Sequence, residues 1–409
     1  MSEILTTISV NPYYGVLLIF FLVLFVLTYK LPLVFFSLFI ISIFLPFRTI
    51  HMFYPHGFLF FPVAVGCFLR ILTRKNYVLR GKKVIVFSIP FLLIIATTAI
   101  GSSWKLQHII YFYSWLQLPL IYFFCLNLIN NKREFRYVLS SFIIMSMFFA
   151  VYYFIFRLFF NNYNINIHYN IAAFYLGLAL IFFLGLMKTA KSIKEKKMFL
   201  YFLIFLLLTL FLTGSRWGIF SSILVLLSFF VFIYKDSKKL KYYLFTFFGV
   251  IMIALILMYL LSPVLYERLL FPGSHLFQIR ANIYKDAFIL FRLNPLRGIG
   301  IGNFNYYTYY THTHNIILEI LVSTGLVGLG AFSFLIWGFV SNWIRLLGVY
   351  REHRRYIIYT AIACFIFFVF KNMLHFNLNP GIGAILGLIL GIAEVIAHND
   401  YTLAEKPVR

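Results

Sequence analysis

The sequence predicts an all-α polytopic membrane protein of about 12 (12–13) transmembrane helices, with one large loop outside the cytoplasm that carries an amphipathic surface helix. Three observations predict it. The composition is 63% hydrophobic and 21% aromatic but only 11% charged, against about 25% charged in soluble domains. Apolar runs close to membrane length follow one another along most of the chain. The cations gather in short connections between those runs, with Lys+Arg 35 against Asp+Glu 11. In a soluble protein that excess would suggest nucleic acid. Here it is what cytoplasmic loops carry to fix orientation, and no nucleic-acid partner is expected.

Taken in order, the runs lie near 13–29, 31–47, 56–72, 84–100, 108–129, 135–160, 169–187, 198–213, 217–234, 242–262, 314–344, 356–371 and 380–397. They are roughly thirteen candidates for spans of about 20 residues. The second and third are short, which makes two of the first three candidates for one kinked or re-entrant element around Pro32 or Pro46. The stretch before Gly15 has no basic n-region and no small-residue cleavage site, so it predicts a first span and not a removable signal peptide. Basic connections run from Thr73 to Lys83, Asn130 to Arg136, Lys188 to Lys197, Lys235 to Lys241 and Arg345 to Arg355. Two runs separate each from the next, so all five share the cytoplasmic side and the C-terminus joins them. The side of the N-terminus depends on whether the first three runs make two spans or three. Three parts follow: residues 1–261, the first ten spans; 262–313, the outer loop; and 314–409, the last spans and a cytoplasmic tail. Cys67, Cys125 and Cys364 lie far apart inside apolar runs and read as small core hydrophobes. No internal repeat and no matched pair of interrupted helices suggests an inverted-repeat transporter.

The outer loop and the start of the following span hold the polar chemistry: Arg268, Arg280, Lys285, Arg292, Arg297, Glu267, Asp286, Glu319, His275, His312 and His314. Leu276, Ile279, Ile283, Ala287 and Leu290 recur at steps of three and four, one face of a helix over 276–291. Gln278, Asn282, Lys285 and Asp286 occupy its other face, which predicts a helix lying along the membrane surface and ended by Asn294-Pro295. Gly298, Gly300 and Gly302 then predict a flexible loop leading to an aromatic stretch, NYYTYYTHTHN. With no strand before it and no helix opening on it, GIGIGN is not a nucleotide fingerprint.

Arginines on the outer face break the positive-inside expectation. Singly, Arg268, Arg292 and Arg297 read as snorkelling side chains. Arg216, in TGSRWG between two spans, and Arg280, beside the apolar stripe, make a natural pair for a phosphate or pyrophosphate held bidentately. His312 and His314 are candidates for a general base or for structural hydrogen bonding. His314-Asn315 opens a span that also contains Glu319, an ionisable residue near its outer end. Glu319 shares a helical face with Asn315 and could orient a partner, pair with an arginine, or bond a helix neighbour for packing. His168, His275 and His375 read as surface residues. Widely spaced carboxylates and a lone HxH pair predict no metal site, and no cofactor is expected.

At these residues the chain resembles the O-antigen ligase and polymerase superfamily of bacterial envelope-glycan enzymes. The resemblance rests on Thr213-Gly-Ser-Arg216 ahead of a span, on Arg280 with Ala281 and Tyr284 leading into DAFILFRLNPLRGIGIGNF, and on H-T-H-N-x-x-x-E-x-x-x-x-x-G-x-x-G from His312 to Gly328. It covers roughly 209–330. It implies a GT-C-like, metal-independent glycosyltransferase of the bacterial inner membrane, using a glycan on undecaprenyl pyrophosphate at the periplasmic face. Carried over by residue, it implies Arg216 and Arg280 as pyrophosphate ligands and His314, or His312, as the base. Asn315 and Tyr284 are the supporting residues expected beside them. Within the superfamily, a ligase would pass the glycan to a lipid A-core sugar or other glycolipid, and a polymerase to a second lipid-linked chain. One substantial outer loop favours the ligase. A flippase for lipid-linked oligosaccharides is the reading from another class, opposed by the missing repeat.

Overall fold

The computed structural model describes residues 22–43, 55–73, 79–98, 105–159, 169–190, 192–234, 240–261, 274–310, 312–349, 352–374 and 382–399. Among them every regular element is a helix. The order is α1 (Leu22–Lys30), α2 (Pro32–Ile43), α3 (Pro55–Leu72), α4 (Lys82–Thr98), α5 (Lys105–Leu128), α6 (Lys132–Phe159), α7 (Tyr169–Thr189), α8 (Ile193–Leu212), α9 (Arg216–Tyr234), α10 (Leu240–Leu261), α11 (Ser274–Leu293), α12 (Phe304–Tyr307), α13 (Ile316–Val349), α14 (Glu352–Leu374) and α15 (Ile382–Asn399). The expectations for the N-terminal stretch before Gly15, and for His168, Glu267, Arg268 and His375, lie outside the described residues.

Helix ends fall where the sequence supplies caps. Ser192 and Glu195 form a reciprocal capping box at the start of α8, satisfying two of the backbone donors that a helix leaves free. At α6, the Glu134 amide donates to Asn131 Oδ1 at 2.9 Å and the Asn130 amide to Glu134 Oε2 at 2.7 Å. Among the described residues, four helices are long and apolar enough to cross a membrane, with membrane-length segments Lys132–Arg157, Tyr169–Lys188, Ile316–Val349 and Arg355–Met373. Helices α1 and α2 meet at a 116° bend, at Pro32, where the sequence reading placed one of its two candidate breaks.

The core is centred on α15 and α7. Helix α15 is buried along its length, from Ile382 to Ala397. It lies against α5 through a stripe of Gly383, Gly387 and Gly391, where a Cβ would meet Ser114 O, Leu118 O and Cys125 Cβ respectively. Small residues at four-residue steps let two helix backbones approach without lipid-excluded side chains between them. The three cysteines are free and buried, as the core reading expects. One polar network crosses this apolar packing. Tyr122 Oη and Asn342 Nδ2 both donate to Glu394 Oε2, the latter at 2.7 Å; Arg345 donates to Asn342 Oδ1 at 2.7 Å; and His398 Nε2 lies 3.2 Å from Glu394 Oε1. A buried carboxylate is tolerable only when so surrounded.

Two expectations change. The apolar face of α11 does not lie free for lipid: Ile283 and Ala287 are buried against Phe304 and Val322, with Leu290, Phe291, Ile299, Tyr310 and Leu318 around them. Amphipathicity gave the face but not its partner, and Ile279, of the same stripe, is exposed. Nor is the glycine loop loose, for the reason that follows.

Candidate active site

Helix α13 is not one continuous rod. Gly325 has φ 67° and ψ −167°, a conformation essentially confined to glycine, and it cuts a short N-terminal half-helix from the rest. The broken turn is repaired by the loop after α11. Leu326 and Val327 donate to Pro295 O and Leu296 O at 2.8 and 3.3 Å, while Ile299 and Gly300 donate to Val322 O and Ser323 O at 2.9 Å each. Two donors and two acceptors freed by the break thus find partners in the loop, as irregular backbone inside a membrane protein requires. Gly298 has φ 68°, and a Cβ there would lie 2.5 Å from Thr324 N and Val322 O. The glycines predicted to give flexibility instead permit backbone-to-backbone contact.

The half-helix carries the histidine cluster. Asn315 caps it, its Oδ1 accepting from Ile317 N at 3.0 Å and Leu318 N at 3.1 Å. Just before the cap, His312 and His314 face one another with ring centroids 4.1 Å apart. Among the described residues His314 is the one non-glycine with positive φ, 58°, a conformation that costs energy and must be held by its surroundings. The holding group is Glu319. Its buried Oε2 accepts from the amide of Thr313, the residue between the two histidines, at 2.9 Å. The Thr313 hydroxyl, in turn, donates to Asn315 O at 2.9 Å. Of the roles open to Glu319 from sequence, pairing with an arginine is not the one observed; its bond goes to the backbone of the histidine segment. Tyr111 of α5 lies within electrostatic reach of the same carboxylate.

The arginine pair is built at the turn between α8 and α9. Gly214, at φ 63°, reverses the chain. Ser215 then caps α9, accepting from Gly218 N at 3.3 Å and donating to Asn170 Oδ1 at 2.6 Å at the start of α7. Arg216 is therefore the first residue of α9, at the positive end of the helix dipole. Arg280 reaches this turn from α11, its guanidinium 5.1 Å from the centre of the Trp217 ring. Burial lowers the Arg280 pKa, the neighbouring Arg216 charge lowers it further, and Tyr284 and Tyr169 oppose that. Two half-buried guanidiniums and a helix N-terminus at one spot form a site that an anion would relieve.

The structure thus brings Arg216 to Arg280, with Tyr284 beside them, and His312 to His314, Asn315 and Glu319. The small core under α11 joins the helix that carries Arg280 to α12, the glycine loop and the half-helix that follows the histidines. Sequence reasoning missed Trp217, Asn170, Thr313 and the break at Gly325. It also missed Lys371 and Glu394, both buried. An ionisable residue inside an apolar run was the available signal for these last two. Among the described residues, no group of three His, Cys, Asp or Glu side chains is arranged to hold a metal ion.

Fold and site together define a multi-pass helical membrane protein whose polar residues converge on one loop and the helix ends that receive it. Residues 201–333 match the Wzy_C family model, described as O-Antigen ligase. That match supports the O-antigen ligase superfamily and implies enzymatic glycan transfer of ligase or polymerase type. Both residue clusters lie inside the matched stretch. No curated protein matches the chain.

Proposed function

We propose that the protein is an O-antigen ligase, a metal-independent glycosyltransferase that moves a glycan from undecaprenyl pyrophosphate to a lipid A-core sugar, or another glycolipid, at the periplasmic face of the bacterial inner membrane. In this reading the chain crosses the membrane about 12 to 13 times. Its basic connections and C-terminus face the cytoplasm, and α11 through the start of α13 face the periplasm. The observation that carries the reading is Arg280 seated on the Trp217 ring within reach of Arg216. Holding two like charges together, half-buried, is favourable when a dianion sits between them. Their planar forks bind the pyrophosphate and stabilise it as it leaves with the electron pair of the anomeric C–O bond. The acceptor hydroxyl oxygen forms the new glycosidic bond, and its proton passes to His314. The strained backbone of His314 supports this assignment over His312, since such conformations cluster where geometry matters to chemistry. Glu319 is a positioning residue that acts through Thr313.

The test is transfer of a labelled undecaprenyl-pyrophosphate glycan by purified protein in nanodiscs, with donor affinity measured on the same variants. Arg216→Lys and Arg280→Lys lose donor affinity, because a point ammonium does not reproduce the fork. His314→Ala keeps donor affinity and turns over roughly 10²- to 10⁴-fold more slowly. Equal loss of donor affinity in His314→Ala and Arg280→Lys would reject the base assignment. Transfer to a second lipid-linked glycan in place of lipid A-core would make the enzyme a polymerase, and transbilayer movement of the donor in sealed proteoliposomes without transfer would make it a flippase.

A further inference from the structure

The arginine and histidine clusters leave one part of the loop without a role. After Phe304, buried in the small core, the chain makes the short α12 and presents Tyr306, Tyr307 and Tyr309, which are 61%, 55% and 103% exposed. They are not on a loose segment. Thr308 N and Oγ1 both donate to Phe304 O, at 3.1 and 2.9 Å, and Tyr310 N donates to Thr308 Oγ1 at 3.2 Å. The Tyr306 and Tyr307 rings stand edge to face, 5.1 Å apart. With Asp286 of α11, Asn305 and Thr308 they line a cleft of 580 Å³, within the ~300–1,000 Å³ typical of small-ligand sites.

We propose that this cleft is a carbohydrate subsite that seats the sugar chain of the acceptor, an inference that rests on the glycosyltransferase reading above. Aromatic faces receive the C–H faces of sugar rings, and a carboxylate, an amide and a hydroxyl beside them match ring hydroxyls, both donors and acceptors. The charge argues against the other occupants on offer. Aromatic residues that anchor a protein in headgroups keep company with Lys and Arg, whereas the charged group in this cleft is Asp286, which repels anionic lipid and pyrophosphate alike. Helix α11 thus separates two tasks. Arg280 meets the arginine turn on one flank, and Asp286, six residues on, faces the tyrosines on another. The cleft is joined directly to the base: His312 and His314 follow Tyr309 by three and five residues. A neutral, hydroxyl-rich chain seated there lies along the segment that carries the histidines.

The experiment measures binding of the delipidated core oligosaccharide to the full-length protein in phosphatidylcholine nanodiscs by calorimetry, together with steady-state transfer. Wild-type protein binds it. The double variant Tyr306→Ala/Tyr307→Ala and the single variant Asp286→Asn each weaken that binding and raise the acceptor KM by about tenfold, with kcat and donor KM unchanged. Tyr306 and Tyr307 are exposed, and Asp286→Asn, at a half-buried position of α11, keeps the shape of the side chain, so a KM effect in both variants is not a folding effect. Absence of binding by wild-type protein overturns the proposal, and so does an unchanged acceptor KM in both variants. Quenching of the tyrosines by brominated phospholipid in the nanodisc, with the acceptor KM unchanged in both variants, would make them a bilayer contact and reject the proposal equally. Oligosaccharide binding that depends on Tyr306 and Asp286 in a protein without transferase activity would uphold the cleft and reject the ligase. Transfer with an unaltered acceptor KM would do the reverse.

Discussion

Replacing Gly325 with alanine tests whether the break in α13 holds the loop in place. With the loop docked, a Cβ at residue 325 would lie 2.6 Å from Arg297 N and still closer to the Leu296 carbonyl, on a backbone conformation that costs a non-glycine residue about 1–3 kcal/mol. If the loop lifts away, four backbone hydrogen bonds are lost, but the helix can close and regain two, from Leu326 and Val327 to Val322 and Ser323. That leaves a net loss of two bonds, about 2 kcal/mol, which in the native protein favours docking. Alanine moves this balance twice, by straining the docked form and by favouring the closed helix by about 1 kcal/mol. The combined shift of roughly 2–4 kcal/mol changes the docked population by about 30- to 700-fold. Hydrogen exchange of the Ile299, Gly300, Leu326 and Val327 amides reports it directly. Protection at Ile299 and Gly300, about 30-fold for a 2 kcal/mol preference, is lost in the variant, while Leu326 and Val327 stay protected by their new helical partners. Gly330→Ala, where a Cβ meets nothing within 4 Å, is the matched control. Wild-type protection at Ile299 and Gly300 in Gly325→Ala would refute the reasoning.

Three further outcomes are expected. Glu319→Gln keeps an oxygen for the Thr313 amide and retains most activity, whereas Glu319→Ala leaves that buried amide unpaired at a cost of about 1–3 kcal/mol. Equal loss in both variants would mean that the negative charge, and not the hydrogen bond, is what matters. Transfer survives EDTA, since the guanidiniums supply the positive charge that a metal would; loss restored by Mg²⁺ or Mn²⁺ would contradict this. A cysteine at exposed Asn294 reacts with an impermeant maleimide on intact spheroplasts and one at exposed Lys194 does not; the opposite pattern would invert the topology.

Most helices were legible because each coincides with an apolar run closed by polar or capping residues. Ser192 with Glu195 is a signal of this kind, and Pro32 another. The residue clusters were legible where a polar side chain stood against its surroundings: Arg216 at a helix turn, Glu319 inside an apolar run. What the sequence hid is contact between backbones. The pairing of 295–300 with 322–327 uses amides and carbonyls that every residue has, and glycines near a span start have several ordinary explanations. Glu319 was visible as a carboxylate, but its partner is a main-chain N–H, which leaves no trace in residue types. In α11 the apolar stripe was plain, yet periodicity does not distinguish lipid from Val322 and Phe304 as the surface that covers it.

The central position of α15 bears on the order in which the molecule is assembled. This is the last of the described helices to be synthesised, and it fills the space between α5, α7 and α14, with Gly383, Gly387 and Gly391 against the α5 backbone. Until it arrives, Tyr122 and Asn342, which bond to each other at 3.0 Å, lack the Glu394 carboxylate that accepts from both. Closure of the bundle around α5 and α7 therefore waits for α15, after the helices it packs against have been made.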